Sequence, residues 1–257
     1  MKILISNDDG VQASGILAAK EAVEDLGDVT VVAPQFQQSG VGHALTLYEP
    51  VRLNETRLRD SSKAYSVSGT PTDAVTMGLF HILDEKPDLV ISGINTGFNI
   101  GKGELTTSGT LGAALEAASF NIPTIAVSLS VSDENIKFEH GEINVDFEFA
   151  KKQLKRIAKK VLKEGLPEGI DLINVNIPSN PENDEIEVVR LCDRMYNPIV
   201  EKRNDLRGAP YYWIDGILND YKEEDTDGYV LLKKQKTTIT PLKIDLTGDL
   251  EKMKEWI

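Results

Sequence analysis

Residues 1–10 have the sequence MKILISNDDG, in which an apolar run is followed at once by two adjacent aspartates. A continuous apolar run such as residues 3–5 is typical of a strand buried on both faces, as in a parallel sheet. Residues 16–26 carry apolar side chains at helical spacing, and we expect Ser14 to cap that helix. Residues 29–33 form a second β-rich run. This order of strand, helix and strand predicts the start of an α/β fold.

The alternation continues through the first two-thirds of the chain. Further strands are predicted at residues 64–68, 89–91, 124–129 and 172–177, and further helices at residues 70–83, 110–120 and 147–162. Thr70 followed by Pro71 is a helix start, because proline is favoured at the first helical position. Together these elements predict an α/β fold with a mostly parallel sheet and helices on both faces.

The last third of the chain has a different composition. Five of the seven tyrosines and both tryptophans lie after residue 195. We predict an α/β catalytic core at residues 1–180 and a C-terminal β-rich extension at 181–257, with hairpin pieces at 211–214, 229–232 and 238–240. Exposed aromatics are enriched at interfaces, so the extension serves subunit association or forms an antiparallel margin of the same domain. Both interpretations stay open.

Composition excludes several classes of protein. The 257 residues include 28 Lys and Arg against 41 Asp and Glu, a formal net charge of −13. That charge disfavours nucleic acid as a partner. The sequence contains no run of about 18 apolar residues, so no membrane span is predicted. The N-terminus lacks the pattern of a secretory signal. The single cysteine, Cys192, excludes an internal disulfide framework, so we expect a cytoplasmic protein.

Polar side chains follow three of the predicted strands. Asp8 and Asp9 follow the first strand, Ser39 follows the second, and Asn95 lies after residues 89–91. Ligands of open α/β sheets bind beyond the carboxyl ends of the strands, so these loops are expected on one edge. Oxygen donors suit a hard cation such as Mg²⁺, Mn²⁺ or Ca²⁺. The alternative is that Asp8 and Asp9 only cap a helix and shape a turn.

A second group of polar residues precedes an alanine-rich helix. Ser108, Gly109 and Thr110 would offer backbone N–H groups and the positive helix end to an anion. An ordinary helix cap is the alternative. A metal site and a phosphate-binding loop at one edge of the sheet together indicate phosphate-ester chemistry. The sequence has no Gly-x-Gly-x-x-Gly motif, which disfavours a dinucleotide cofactor.

The three histidines are assigned different roles. His43 lies near the predicted cleft, where it could assist proton transfer or serve the structure alone. His81 and His140 are expected to be structural.

The chain resembles the survival protein SurE family of metal-dependent nucleotidases, nearly from end to end. The motifs that carry the resemblance, in order, are Asn7-Asp8-Asp9-Gly10, Gln38-Ser39-Gly40, Ser68-Gly69-Thr70-Pro71-Thr72-Asp73, Ser92-Gly93-Ile94-Asn95 with Gly97 and Asn99, Ser108-Gly109-Thr110 with Ala113-Ala114, Asn174-Val175-Asn176-Ile177-Pro178, Arg207-Gly208 with Tyr211-Tyr212-Trp213, and Thr238-Ile239-Thr240-Pro241-Leu242. Their order and spacing make the resemblance specific.

The resemblance implies a Rossmann-like core whose C-terminal extension is exchanged between subunits in a homodimer or homotetramer. It implies hydrolysis of nucleoside 5′-monophosphates, with 3′-nucleotides or short polyphosphate accepted by some members. One Mg²⁺ or Mn²⁺ per subunit would be held by Asp8, Asp9, Ser39 and Asn95, and phosphate by Ser108, Gly109 and Thr110. Thr107 departs from the family, because many relatives have tyrosine there.

The mechanism expected from these residues assigns catalysis to Asp8, Asp9 and Asn95. Asp9 by preference would orient or deprotonate the attacking water, and Asn95 with the start of the helix would stabilise charge on the phosphoryl oxygens. A nucleotide-binding or sensing module without turnover is the competing hypothesis.

Overall fold

The computed structural model describes residues 1–131 and 145–257, and a nine-stranded sheet lies at its centre. Its strands are β1 (Lys2–Ser6), β2 (Asp28–Pro34), β3 (Leu53–Arg57), β4 (Lys63–Val67), β5 (Leu89–Thr96), β6 (Thr124–Leu129), β7 (Leu172–Ile177) and β8 (Ile186–Val188), with β11 (Thr237–Leu242). A separate two-stranded sheet consists of β9 (Tyr196–Asn204) and β10 (Pro210–Leu218).

The large sheet is mostly parallel, as predicted. Its spatial order is β3-β4-β2-β1-β5-β6-β7-β11-β8, in which β3 is antiparallel to β4 and β11 to β7. The other neighbouring pairs are parallel. The carboxyl ends of β2, β1 and β5 therefore lie side by side, which brings the loops of the predicted site to one edge.

Helices cover both faces of this sheet. They are α1 (Ser14–Val23), α2 (Pro71–Met77), α3 (Glu104–Thr107), α4 (Gly109–Ser119), α5 (Glu148–Glu164), α6 (Asp227–Leu232) and α7 (Leu250–Trp256), and a π-helical turn (Gly78–Ile82) follows α2. The side chains of β1 alternate between the faces: Ile3 and Ile5 pack with α1 and α5, whereas Leu4 packs with α2 and α4. The predicted three-layer α/β fold is confirmed. Among residues 1–131 and 145–257, the chain forms no helix with the length and apolar character that a membrane crossing requires.

Helix starts agree only in part with the predictions. Thr70 caps α2 as expected, because its hydroxyl accepts from Asp73 N while the Asp73 carboxylate accepts from Thr70 N. This reciprocal capping box and Pro71 define the start of the helix. Ser14, in contrast, is the first residue of α1; Ala13 occupies the cap position and makes no side-chain capping bond.

The C-terminal third holds one clear correction. Residues 211–214 lie in β10 and residues 238–240 in β11, but residues 229–232 are helical, in α6, and not a hairpin piece. A short apolar run fits a buried helix as well as a strand, and here Val230 and Leu231 are fully buried in the helix. Two strands beyond residue 180, β8 and β11, belong to the large sheet. The functional division at residue 180 stays a prediction, and the expectation for His140 lies outside the described residues.

Candidate active site

The loop after β1 is a tight turn stabilised by Asn7. Its side chain both donates to Gly10 O, at 3.0 Å, and accepts from Gly10 N, at 3.2 Å. Gly10 has φ of +97°, a conformation that favours glycine. The turn places Asp8 and Asp9 between these two bonded residues, at the carboxyl end of β1.

Asp8 contacts the start of α4. Its Oδ1 accepts a hydrogen bond of 2.7 Å from Thr110 Oγ1, and only 4% of the residue is exposed. A Cβ added at Gly109 would lie 2.8 Å from Asp8 Cβ and 3.0 Å from Asp8 Oδ2, so only glycine allows this approach. The first aspartate and the predicted phosphate loop therefore touch.

Asp9 lies beside the end of β5, and Asn95 belongs to that strand and not to the loop expected after residue 91. Asp9 Oδ2 accepts from the backbone N of Thr96, at 3.0 Å, at the end of β5. The preceding residue, Asn95, donates from Nδ2 to Gly97 O at 2.9 Å. That bond involves the amide nitrogen of Asn95 and not the amide oxygen.

Ser39 lies on the loop after β2. Gln38 N donates to Asp8 O at 2.7 Å, which fixes this loop against the loop after β1. Ser39 is exposed, and its hydroxyl accepts from Gln37 Nε2 at 2.9 Å. These hydrogen bonds bring the loop of Asp8 and Asp9 next to the loop of Ser39 and to the end of β5, which carries Asn95. The action of the four residues as metal ligands stays a prediction.

The phosphate-loop residues begin α4. Ser108 caps this helix by accepting from Leu111 N at 3.2 Å, and Ser108, Gly109 and Thr110 are all buried. Thr107 is exposed and donates to Gly103 O at 3.3 Å. Ser108 therefore caps α4, and its own N–H donates to Glu104 O at 3.0 Å, so that N–H is not offered to an anion as expected. The Asp8 contact of Thr110 goes beyond capping, and phosphate binding at this helix start stays a prediction.

In the described part of the chain, carboxylates alone do not form a metal site. Across residues 1–131 and 145–257, no three His, Cys, Asp or Glu side chains form a group that could hold a metal ion. A cation at this edge would need the hydroxyl of Ser39 and the amide oxygen of Asn95 beside the two carboxylates. Such an all-oxygen donor set fits a hard divalent cation.

A buried amide cluster that the sequence reasoning missed supports the loop after β5. Asn176 Oδ1 accepts from Asn99 N at 2.8 Å, and Asn174 and Asn176 donate from Nδ2 to Asn99 O at 2.8 and 3.0 Å. Asn99 Nδ2 in turn donates to Ser128 Oγ at 2.8 Å. Asparagines at alternate positions of an otherwise apolar strand were the available signal, because buried amides require partners.

Asp227 supports the same loop from the C-terminal part of the chain. This fully buried carboxylate accepts from Gly101 N and from Cys192 N, each at 2.8 Å. Burial, with the nearby Asp227 charge, raises the pKa of the Cys192 thiol well above its usual range, so the thiol stays protonated. The loop that follows β5 is therefore fixed by residues more than 70 positions later in the chain.

Known proteins show the same fold and closely related sequences. The family model "Survival protein SurE" matches residues 3–198. The chain is 64% identical to the 5′-nucleotidase SurE of Methanobrevibacter smithii over 257 residues, which is 100% of both chains. It is 62% identical over 216 residues to the 5′-nucleotidase SurE of Methanothermobacter thermautotrophicus, covering 84% of this chain and 82% of the relative.

A solved structure extends the likeness to the fold. The crystal structure of the SurE protein from Aquifex aeolicus has a TM-score of 0.80 and 39% identity, over 100% of this chain and 98% of that one. Together with the matched family model, this similarity over the whole length shows that the chain belongs to the survival protein SurE family.

Proposed function

We propose that this chain is a divalent-metal-dependent phosphomonoesterase that hydrolyses nucleoside 5′-monophosphates to nucleoside and phosphate. The hydrogen bond from Thr110 to Asp8 supports the proposal, because it joins the carboxylate pair to the N-terminus of α4. Relatives at 64% and 62% identity carry the name 5′-nucleotidase. 3′-Nucleotides and short polyphosphate are further candidate substrates.

The donor set fits one Mg²⁺ or Mn²⁺ per subunit, held by Asp8, Asp9, Ser39 and Asn95. The absence of a side chain at position 109 lets Asp8 lie directly against the start of α4, so the carboxylate is held close to the proposed phosphate loop. When bound, the cation supplies Lewis-acid chemistry: it withdraws charge from the phosphoryl group and makes a water in the site more acidic.

The chain's own groups account for positioning and charge stabilisation. Asp9, held by Thr96 N, is the preferred group to orient the attacking water or take its proton. The Asn95 amide and the N-terminal end of α4, from Ser108 to Thr110, stabilise charge on the equatorial phosphoryl oxygens. The N–H groups of Gly109 and Thr110 serve here, because the N–H of Ser108 donates to Glu104 O. Phosphoryl transfer needs little covalent assistance from the protein, so positioning and such preorganised dipoles account for most of the rate acceleration.

The test is release of inorganic phosphate from AMP and GMP with Mn²⁺, in the presence and absence of chelator. We expect chelator-sensitive release by the wild-type chain. Asp8→Asn removes one negative charge from the donor set, so release should fall by about 1,000-fold or more, at an unchanged unfolding temperature. Nucleotide binding without phosphate release would instead identify the sensing module.

Assembly and location complete the proposal. In β10, 58% of Trp213 and 81% of Ile214 are exposed to solvent. Apolar surface of this kind is typical of protein interfaces. We therefore propose that residues 181–257 mediate assembly into homodimers or homotetramers. A single buried cysteine agrees with a cytoplasmic location.

A further inference from the structure

The loop that carries Ser39 is attached to the rest of the molecule on both sides of that residue. Before Ser39, Gln38 N donates to Asp8 O at 2.7 Å; after it, Gly42 N donates to Thr107 O at 3.0 Å. Between these two bonds, a Cβ at Gly40 would meet no atom within 4 Å. The position of Ser39 therefore depends on the two attachments.

Next to the second attachment, the backbone of Gly42 and His43 also lies close to α4, at Gly112. A Cβ at Gly112 would come within 2.4 Å of Gly42 O and 2.9 Å of His43 Cα, so the loop backbone occupies the space of a missing side chain. No other residue type at position 112 would let the loop lie so close to the helix. The loop thus rests on the same helix whose first residues contact Asp8.

His43 continues this attachment through a buried carboxylate. His43 Nε2 lies 2.8 Å from Glu116 Oε2, and the other Glu116 oxygen accepts from Thr76 Oγ1 at 3.1 Å. Only 8% of Glu116 is exposed, and a buried carboxylate without partners would be costly. The hydrogen bonds therefore connect α2, α4 and the loop after β2 through one side chain.

The His43 ring extends away from the reacting groups. Its Cα lies beside Gly112, about one turn along α4 from Gly109, where Asp8 makes its contact, and its Nε2 reaches Glu116, about two turns or roughly 10 Å from Gly109. The Nε2 atom of His43 is hydrogen-bonded to Glu116, a residue of α4. A proton donor or acceptor must come within hydrogen-bond distance of the reacting atom, directly or through one water.

We propose that His43 is a positioning residue: through its hydrogen bond to Glu116 it holds the 38–42 loop so that Ser39 can ligate the cation, and it takes no part in proton transfer. This inference rests on the proposed metal site. It assigns a role to a residue for which the sequence left two alternatives open.

The test compares three variants of the full chain. His43→Ala removes the bond to Glu116, and His43→Gln keeps an N–H donor of similar reach but cannot exchange protons near neutral pH. His81→Ala is the matched control, because His81 is also exposed and lies in the π-helical turn. Mn²⁺ binding is measured directly by the electron paramagnetic resonance signal of free Mn²⁺, and kcat for AMP is measured against pH.

We expect His43→Ala to bind Mn²⁺ about tenfold more weakly, as for other residues that orient metal ligands. His43→Gln should bind Mn²⁺ as the wild type does and keep the shape of its pH profile, and His81→Ala should change nothing. Wild-type Mn²⁺ affinity in His43→Ala would overturn the proposal. So would a His43→Gln variant that binds Mn²⁺ normally but loses one limb of the pH profile, because that result would identify proton transfer.

Failure of the proposed function has a different signature. A wild-type chain that binds Mn²⁺ but releases no phosphate from any nucleotide would refute the phosphomonoesterase, while the Mn²⁺ affinities would still decide the role of His43. A wild-type chain that binds no Mn²⁺ would refute both.

Discussion

Thr110 Oγ1 donates a hydrogen bond of 2.7 Å to Asp8 Oδ1, and this contact joins the turn after β1 to the start of α4. It connects a carboxylate proposed to bind the cation with a residue proposed to bind phosphate. The geometry of both groups should therefore respond to changes on either side of the bond.

Thr110→Val should lower kcat/KM for AMP by about 10- to 100-fold, because it keeps the shape of the side chain but removes the donor to Asp8. Thr110→Ser, which retains the hydroxyl, is the matched control and should stay within a few-fold of wild type. Steady-state kinetics at saturating Mn²⁺ measure both. Equal losses in the two variants would mean that the methyl group, and not the hydrogen bond, matters.

Gly109→Ala should lower kcat/KM by about 100-fold, because its Cβ would lie 2.8 Å from Asp8 Cβ and must displace the turn. Alanine favours helix over glycine, so a loss of helix stability would not explain the result. Gly103→Ala is the control, since a Cβ there meets no atom within 4 Å. An active Gly109→Ala variant would show that Asp8 need not lie against α4.

Asn176→Ala should lower the free energy of unfolding by about 2–3 kcal/mol, because it leaves the buried N–H of Asn99 without this acceptor. Asn54→Ala, at an exposed position of β3, should be nearly neutral. Urea denaturation measures both. Equal stability of the two variants would indicate that the amide cluster around Asn99 contributes nothing to the fold.

Asp60 gives a pH-dependent prediction. Burial alone raises the pKa of this carboxyl, but hydrogen bonds from Ser62 and the ion pair with Lys20 outweigh it and lower the pKa to about 2. A depressed pKa stabilises the fold above the unfolded value of 3.8, and this contribution is lost as the pH falls towards 2. Wild type should therefore unfold at a higher temperature than Asp60→Asn near neutral pH, and the difference should shrink below about pH 4. A difference that stays constant with pH would contradict this account.

Periodicity and strand order predict much of the fold and the place of the site. Residues 124–129 and 172–177 form strands with the predicted bounds, because mostly apolar runs of that length suit a sheet buried on both faces. The loops of Asp8 and Ser39 lie next to the end of β5, which carries Asn95, because the carboxyl ends of neighbouring parallel strands share an edge.

Contacts between distant segments are beyond such reasoning. The approach of Thr110 to Asp8 depends on how α4 packs on the sheet, and local propensity does not encode that packing. Residues 229–232 are apolar enough for a strand, and their helical state follows from the way Val230 and Leu231 pack. The attachment of Asn99 to Asn176 and of Gly101 to Asp227 likewise requires the completed fold.

The central claim is that Asp8, Asp9, Ser39 and Asn95 surround one hard cation, and anomalous diffraction from crystals grown with Mn²⁺ tests it most directly. We predict a single strong peak in this cleft, with oxygen atoms of all four side chains at about 2.0–2.6 Å. A peak at another place, or no peak in crystals of protein that releases phosphate, would contradict the account.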